Sequence, residues 1–165
     1  RKLYGVWYSR NARKPVPVYN NIIEIKFAET QKELDDALAI RHKVFIEEQG
    51  ISEDIESDGR DAETDHIIVY SGKAPVGCAR IRFVDGNAKF ERMAVIKNYR
   101  RNGIGSTMLK YMIDSLKTKN TGEVYLHSQI NAKEFYMQNG FVQEGKSFDE
   151  GDIPHVKMVL KLNTG

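Results

Sequence analysis

The stretch that most restricts this chain is "KNYRRNGIGSTMLKYMIDSLK", residues 97–117. A basic loop runs into Gly103 and Gly105, and an amphipathic stripe of Ile104, Met108, Leu109, Met112, Ile113 and Leu116 begins at once. Glycines are poor helix formers, so two of them where a helix nucleates point to something that must come close to the backbone. The preceding "KFERMAV" reads as a strand. A strand, a glycine-rich loop and a helix start together make an anion site, because the first helical N–H groups have no internal acceptor. Arg100 and Arg101 add charge and planar donors. These residue types suit a phosphate, above all a pyrophosphate. The usual fingerprints do not fit: no G-x-x-x-x-G-K-[ST] string occurs, and the third glycine of G-x-G-x-x-G is replaced by Met108. The strand also reads as the end of a meander rather than the opening of a βαβ unit, which speaks against a dinucleotide site.

The rest of the chain reads as an α/β protein with a single mixed central sheet flanked by helices. "IEIKF" alternates as a half-buried strand, and Thr30 with Glu33 forms a capping box for a helix that Gly50 ends. "HIIVY", "VGCARIRFV" and "KFERMAV" are strands joined by turn residues, a meander. After the central helix come the strand "EVYLHS", the short helix "NAKEFYMQNG", and the strands "FVQEGKSF" and "HVKMVLKL". Residues 1–20 show no period and hold Pro15 and Pro17; they read as a basic, aromatic arm, pinned by Trp7 and Tyr8, before a domain spanning 21–163. The first 23 residues carry five Lys or Arg and no Asp or Glu, so the mature end of a targeting segment is the alternative for that arm.

"RRNGIG" resembles the R/Q-x-x-G-x-G/A signature of the GNAT superfamily of acyl-CoA-dependent N-acetyltransferases. "ERMAV" just before it and "NAKEFYMQNGF" one strand later are similar to further segments of that family, and the element order resembles the GNAT acyltransferase fold. "RHKVFIEEQGI", "ERMAV" and "HVKM" look most like the small ElaA-like branch. The resemblance implies acetyl-CoA as cosubstrate and direct transfer to a primary amine, in a small molecule or a peptide, within a ternary complex. It implies that the backbone of Met93, Ala94 and Val95 pairs with the pantetheine arm in a gap between splayed strands. The pyrophosphate would lie on residues 100–106, that is Arg100, Arg101, Asn102, Gly103, Ile104, Gly105 and Ser106. Asn131 would reach the pantetheine and Phe135 would pack near it, with plain core packing the alternative for Phe135.

Tyr136 is the expected general acid, since a departing CoA sulfur needs a proton in a closed site; core packing is its alternative. Glu91, four residues before Val95, is the first candidate base, against a structural salt bridge; a bulge in its strand would decide which way it faces. His127 and His155 are alternative bases, against satisfied structural histidines.

"DIESDGRDAETD", Asp54 to Asp65, partly resembles a calcium loop, but position twelve is an aspartate and a strand follows. No metal is expected. The same stretch, together with "RHKVF", is a little like acyl-homoserine-lactone synthases, which usually lack a loop such as "RRNGIG". The bland reading is a solvated loop, and the functional one an anionic rim for a cationic amine. Two other function classes stay open on sequence alone: a non-catalytic acyl-CoA-binding module, and a calcium-binding protein. A net charge of +2 argues against nucleic acid as partner. The absence of a long apolar run argues against a membrane partner. A lone cysteine, Cys78, fits a reducing compartment, so a cytoplasmic location is expected. Oligomeric state is open, a homodimer included.

Overall fold

The computed structural model describes residues 5–8 and 22–162; the remainder of the 1–20 arm, the side chains of Trp7 and Tyr8, and residues 163–165 lie outside the described residues. An eight-stranded sheet has the order β1-β2-β3-β4-β5-β6-β8-β7, formed by β1 (Gly5–Tyr8), β2 (Ile22–Phe27), β3 (Asp65–Ser71), β4 (Ala74–Val84), β5 (Asn87–Val95), β6 (Glu123–Gln129), β7 (Val142–Glu150) and β8 (Ile153–Lys161). β1 is the element that the pattern did not show: it adds parallel to β2 at the edge, with Gly5 opposite Ile22. The other seven follow the expected order.

Helix α1 (Gln31–Arg41) opens on the complete capping box of Thr30 and Glu33. It passes directly into a π-helical turn over His42–Glu48, which Gly50 ends at φ 71°. This helix covers one face of the sheet through Ala37, Ile40 and Val44 against Ile68, Cys78 and Ala94. A short α2 (Glu53–Glu56) follows it. On the other face α3 (Ile104–Ser115) buries Ile104, Met108, Leu109 and Met112 against Ile81, Phe90, Val124 and Leu126, the main core. The position that lacks the fingerprint glycine, Met108, is thus a core residue with no exposed surface. Helix α4 (Lys133–Gln138) lies between β6 and β7.

β3, β4 and β5 form the expected antiparallel meander, closed by an Asp85–Gly86 turn with both residues at positive φ. The expectation that β5 does not open a βαβ unit needs correction. β5 pairs parallel with β6 through the α3 crossover, so one strand both ends the meander and begins the crossover.

Candidate active site

The β5–β6 pairing is short: only Ala88 opposite Val124 and Lys89 opposite Tyr125. Its cause lies on the other edge of β5. Cys78 faces Ala94 and Arg80 faces Glu91, so Ala79 of β4 stands against both Arg92 and Met93, a bulge with Arg92 at φ 55°. The extra residue bends β5, while β6 stays paired with β8 out to Gln129. The strands therefore splay, and the β6-facing edge of Met93, Ala94 and Val95 is paired with no strand among the described residues. A cleft of about 500 Å³ fills the opening; Glu91, Met93, His127, Asn131, Tyr136 and Glu150 are among its lining residues.

Above the splay, Gly103 takes φ 80° at the start of α3, a conformation that a Cβ would strain. Asn102 Nδ2 donates to the carbonyls of Arg100 (2.8 Å) and Tyr99 (3.3 Å), which fixes the loop. The first backbone bond of the helix is Thr107 N to Gly103 O, and among the described residues the N–H groups of 101–106 have no protein acceptor. Those donors, with Ile104, Gly105 and Ser106 in the first turn, are available to an anion. The bare N–H groups and the open β5 edge fit a pyrophosphate on an extended arm.

Two residues of the loop serve otherwise than expected. Gly105 is needed for packing: a Cβ there would lie 3.0 Å from Cζ of Phe135, so it is the ring of α4 that requires a glycine on that side of the helix. Arg100 is already engaged, its Nε donating to Val95 O at 2.8 Å and its two Nη groups to Glu48 at 2.6 and 2.9 Å. Its side chain braces the π-helical turn against β5, so it is not a free phosphate ligand. Arg101, at φ 63° and exposed, has no intrachain ion pair among the described residues and remains the cation available to a ligand.

Phe135 and Tyr136 pack edge to face at 5.0 Å, and Tyr136 meets Phe141 in the same way at 5.9 Å. The Tyr136 hydroxyl points at the bulge, 3.7 Å from Met93 Sδ. Burial pushes its pKa up to about 12, so the phenol carries its proton at neutral pH. Asn139 ties α4 to the first turn of α3 by donating to Ser106 Oγ at 3.3 Å. Asn131 is exposed at the cleft wall, where α4 begins.

Glu91 faces the cleft but is held by three cations: Arg82 Nε at 2.7 Å, Arg80 at 3.2 Å and Lys89 at 3.7 Å. Burial opposes its ionisation, yet the Arg82 hydrogen bond and the neighbouring charges outweigh it and hold the carboxyl below its ordinary range. Such a group is an ion-pair anchor and a weak base. The opposite wall offers a better one. His127 Nδ1 is 3.0 Å from Glu150 Oε1. A carboxylate can only accept, so Nδ1 carries a proton, and in the neutral tautomer Nε2 holds the lone pair. His155 donates from Nδ1 to Ile153 O at 2.6 Å and lies 3.8 Å from Glu150 through Nε2. Glu150 was not legible in advance, because it reaches His127 only through the β7–β8 hairpin.

The acidic loop is a clasp rather than a calcium loop. Arg80, with no exposed surface, holds Asp58 through both Nη groups (2.9 and 2.7 Å) and Asp61 at 2.9 Å. Arg41 holds Glu56 and Asp61 from the other side. These carboxylates point inward at arginines, and no set of three metal-ligating side chains is found among the described residues. Nor is any helix there long and apolar enough to cross a membrane.

Comparison with known proteins agrees with this geometry. The family described as acetyltransferase (GNAT) domain matches residues 29–162. The Bacillus subtilis protein YyaT is 38% identical over 144 residues, covering 86% of this chain and 97% of its own. The uncharacterized N-acetyltransferase YjcF of the same organism is 35% identical over 133 residues, 80% of this chain and 95% of its own. The crystal structure of Escherichia coli ElaA superposes with a TM-score of 0.73 at 25% identity, covering 83% of this chain and 98% of that one. A splayed β5–β6 pair above a bare α3 N-terminus, with a family match across almost all of the described residues, places this chain in the GNAT family of acyl-CoA-dependent acyltransferases, with ElaA among its relatives.

Proposed function

We propose that this protein transfers the acetyl group of acetyl-CoA directly to a primary amine in a ternary complex. The observation that carries this reading is the position of Tyr136: a protonated phenol at the bulge, beside the open edge of β5 where a thioester on the extended arm would end. The N–H groups of 101–106 bind the pyrophosphate, helped by Arg101, and the edge of Met93 to Val95 pairs with the pantetheine amides. Asn131 lines the same path.

The acceptor must attack as a neutral amine, and an alkylamine is neutral in only about one molecule in 2,500 at pH 7. His127, oriented by Glu150, takes that proton through Nε2 or through one water. As the new N–C bond forms and the C–S bond breaks, Tyr136 donates its proton to the sulfur and the nitrogen's surplus proton returns to the phenolate through water, so the products are an amide and free CoA thiol. Glu91 holds Arg82 and Arg80 in place. The test is release of CoA thiol from acetyl-CoA across a panel of amines, with the acetylated product identified by mass; thioester hydrolysis without amide product would sink the reading.

Two expected outcomes follow from these assignments. Gly105→Val forces Phe135 off the first turn of α3, and with it the neighbouring cradle. Acetyl-CoA raises Tm by mass action in the native chain, and the variant should lose most of that shift; an unchanged shift would separate Gly105 from the cradle. His127→Gln should lower kcat at pH 7 by roughly 10²-fold, typical of a lost general base, while Glu91→Gln should change it far less. The reverse order would return the base to Glu91.

A further inference from the structure

Lys89 lies at the closed end of the cleft, where β5 and β6 are still paired, opposite Tyr125 on one side and Arg82 on the other. Its side chain is only 13% exposed, and its carboxylate neighbour, Glu91 Oε2, is 3.7 Å away, beyond hydrogen-bond reach. Glu91 is also shared with Arg80 and Arg82. Arg82 gives Glu91 its Nε alone, and among the described residues its Nη groups have no acceptor.

The connected cluster has six arginine and lysine cations, Arg41, Arg60, Arg80, Arg82, Lys89 and Arg92, against four carboxylates, Glu56, Asp58, Asp61 and Glu91. Three of those carboxylates belong to the loop and serve Arg41, Arg60, Arg80 and Arg92. Within the cluster, Glu91 alone is left to serve both Arg82 and Lys89, and it is shared with Arg80. Burial lowers the Lys89 pKa despite the fields of Glu91 and Glu150, neither of which is within hydrogen-bond reach of its ammonium. Burying a cation without a hydrogen-bonding counter-ion is costly, and an oxyanion from a ligand would remove that cost.

The spacing to the base is short. His127 follows Tyr125 by two residues on the same face of β6, about 6.6 Å further toward the open end. Both Lys89 and His127 line the cleft.

We infer that the acceptor is a small amine that also carries an acidic group, a carboxylate or a phosphate. Lys89 and Arg82 hold its oxyanion at the closed end, and His127 with Glu150 receives its nitrogen above. Purely cationic acceptors such as polyamines would meet Lys89 and Arg82 with like charge. This specificity rests on the N-acetyl transfer proposed above, but its test does not require turnover.

The 165-residue chain, saturated with CoA, is titrated in a calorimeter with matched probes: α- and ω-amino acids against their carboxamides, and phosphoethanolamine against ethanolamine. The acidic member of at least one pair should bind tenfold or more tightly than its neutral counterpart, and the two arms tell carboxylate from phosphate. Lys89→Met should abolish the difference and Lys89→Arg should keep most of it, while the CoA-induced rise in Tm stays the same in both variants. Equal binding of acid and amide, binding of neither, or a preference that survives Lys89→Met combined with Arg82→Gln overturns the inference. CoA release is read separately. An acid that binds but is not acetylated leaves the subsite standing and sinks the transfer reaction. Acetylation of cationic amines alone does the opposite.

Discussion

Tyr136→Phe should lower kcat by roughly 10²-fold or more, the usual loss when a general acid is removed. The substitution keeps the ring, and with it the contacts at 5.0 and 5.9 Å to Phe135 and Phe141. KM for acetyl-CoA and the Tm should therefore move little. The hydroxyl bonds only the weak acceptor Met93 Sδ among the described residues, so its loss leaves no strong acceptor buried and unpaired. The defect should shrink with a thioester whose thiol has a lower pKa, because that thiolate departs without help. The phenol is protonated up to about pH 12, so the acid form persists across the assay range and titration of Tyr136 does not shape the rate there. Steady-state kinetics with a series of thioesters check each point. Full activity in the phenylalanine variant would make Tyr136 a packing residue.

The second large effect concerns stability. Arg80→Met should cost about 3–5 kcal/mol, the range found when one partner of a buried ion pair is removed. Arg80 has no exposed surface, and its loss takes one partner from each of Asp58, Asp61 and Glu91. At roughly 2–4 °C per kcal/mol for a chain of this size, Tm should drop by about 10 °C. The pH dependence gives a second readout. The hydrogen bond from Arg80 holds Asp58 well below the ordinary carboxylate range; at Asp61 burial opposes ionisation, but the bonds from Arg41 and Arg80 prevail. Carboxyls with a depressed folded-state pKa add stability above the unfolded value near 3.9 and lose it as pH falls toward the folded one. The native chain should therefore hold its stability down to about pH 5 and lose it below pH 4. The Arg80 variant, lacking part of that contribution, should be less impaired at about pH 2.5, inside that window, than at pH 7. Urea unfolding at the two pH values measures this, and an equal deficit at both would refute the clasp.

The candidate site divides along the same line as these two effects. Tyr136 was legible because the aromatic pair and its glycine stop are local in sequence. Glu91 was legible as a charged residue near the splay, but its role was not. Three cations reach it from β4 and β5, and that register depends on the bulge at Arg92. Arg100 reads as a phosphate ligand in its loop, yet its partner Glu48 is 52 residues away on the π-helical turn. The glycine at 105 was rightly singled out, but the neighbour that requires it is a ring on another helix.

From the sequence alone came the strand–glycine loop–helix unit, the order of seven of the strands, the family resemblance and the phenol. Each of these is written in residues a few positions apart, where backbone conformation, capping and hydrophobic period act. Only the tertiary structure decided which charges are neutralised and which are left over. His127 meets Glu150 across 23 residues, and Arg80 meets Asp58 across 22. Those pairings follow from strand register, one bulge and the path of an acidic loop. A one-residue shift in any of them would turn each side chain to the other face of the sheet and pair it with something else.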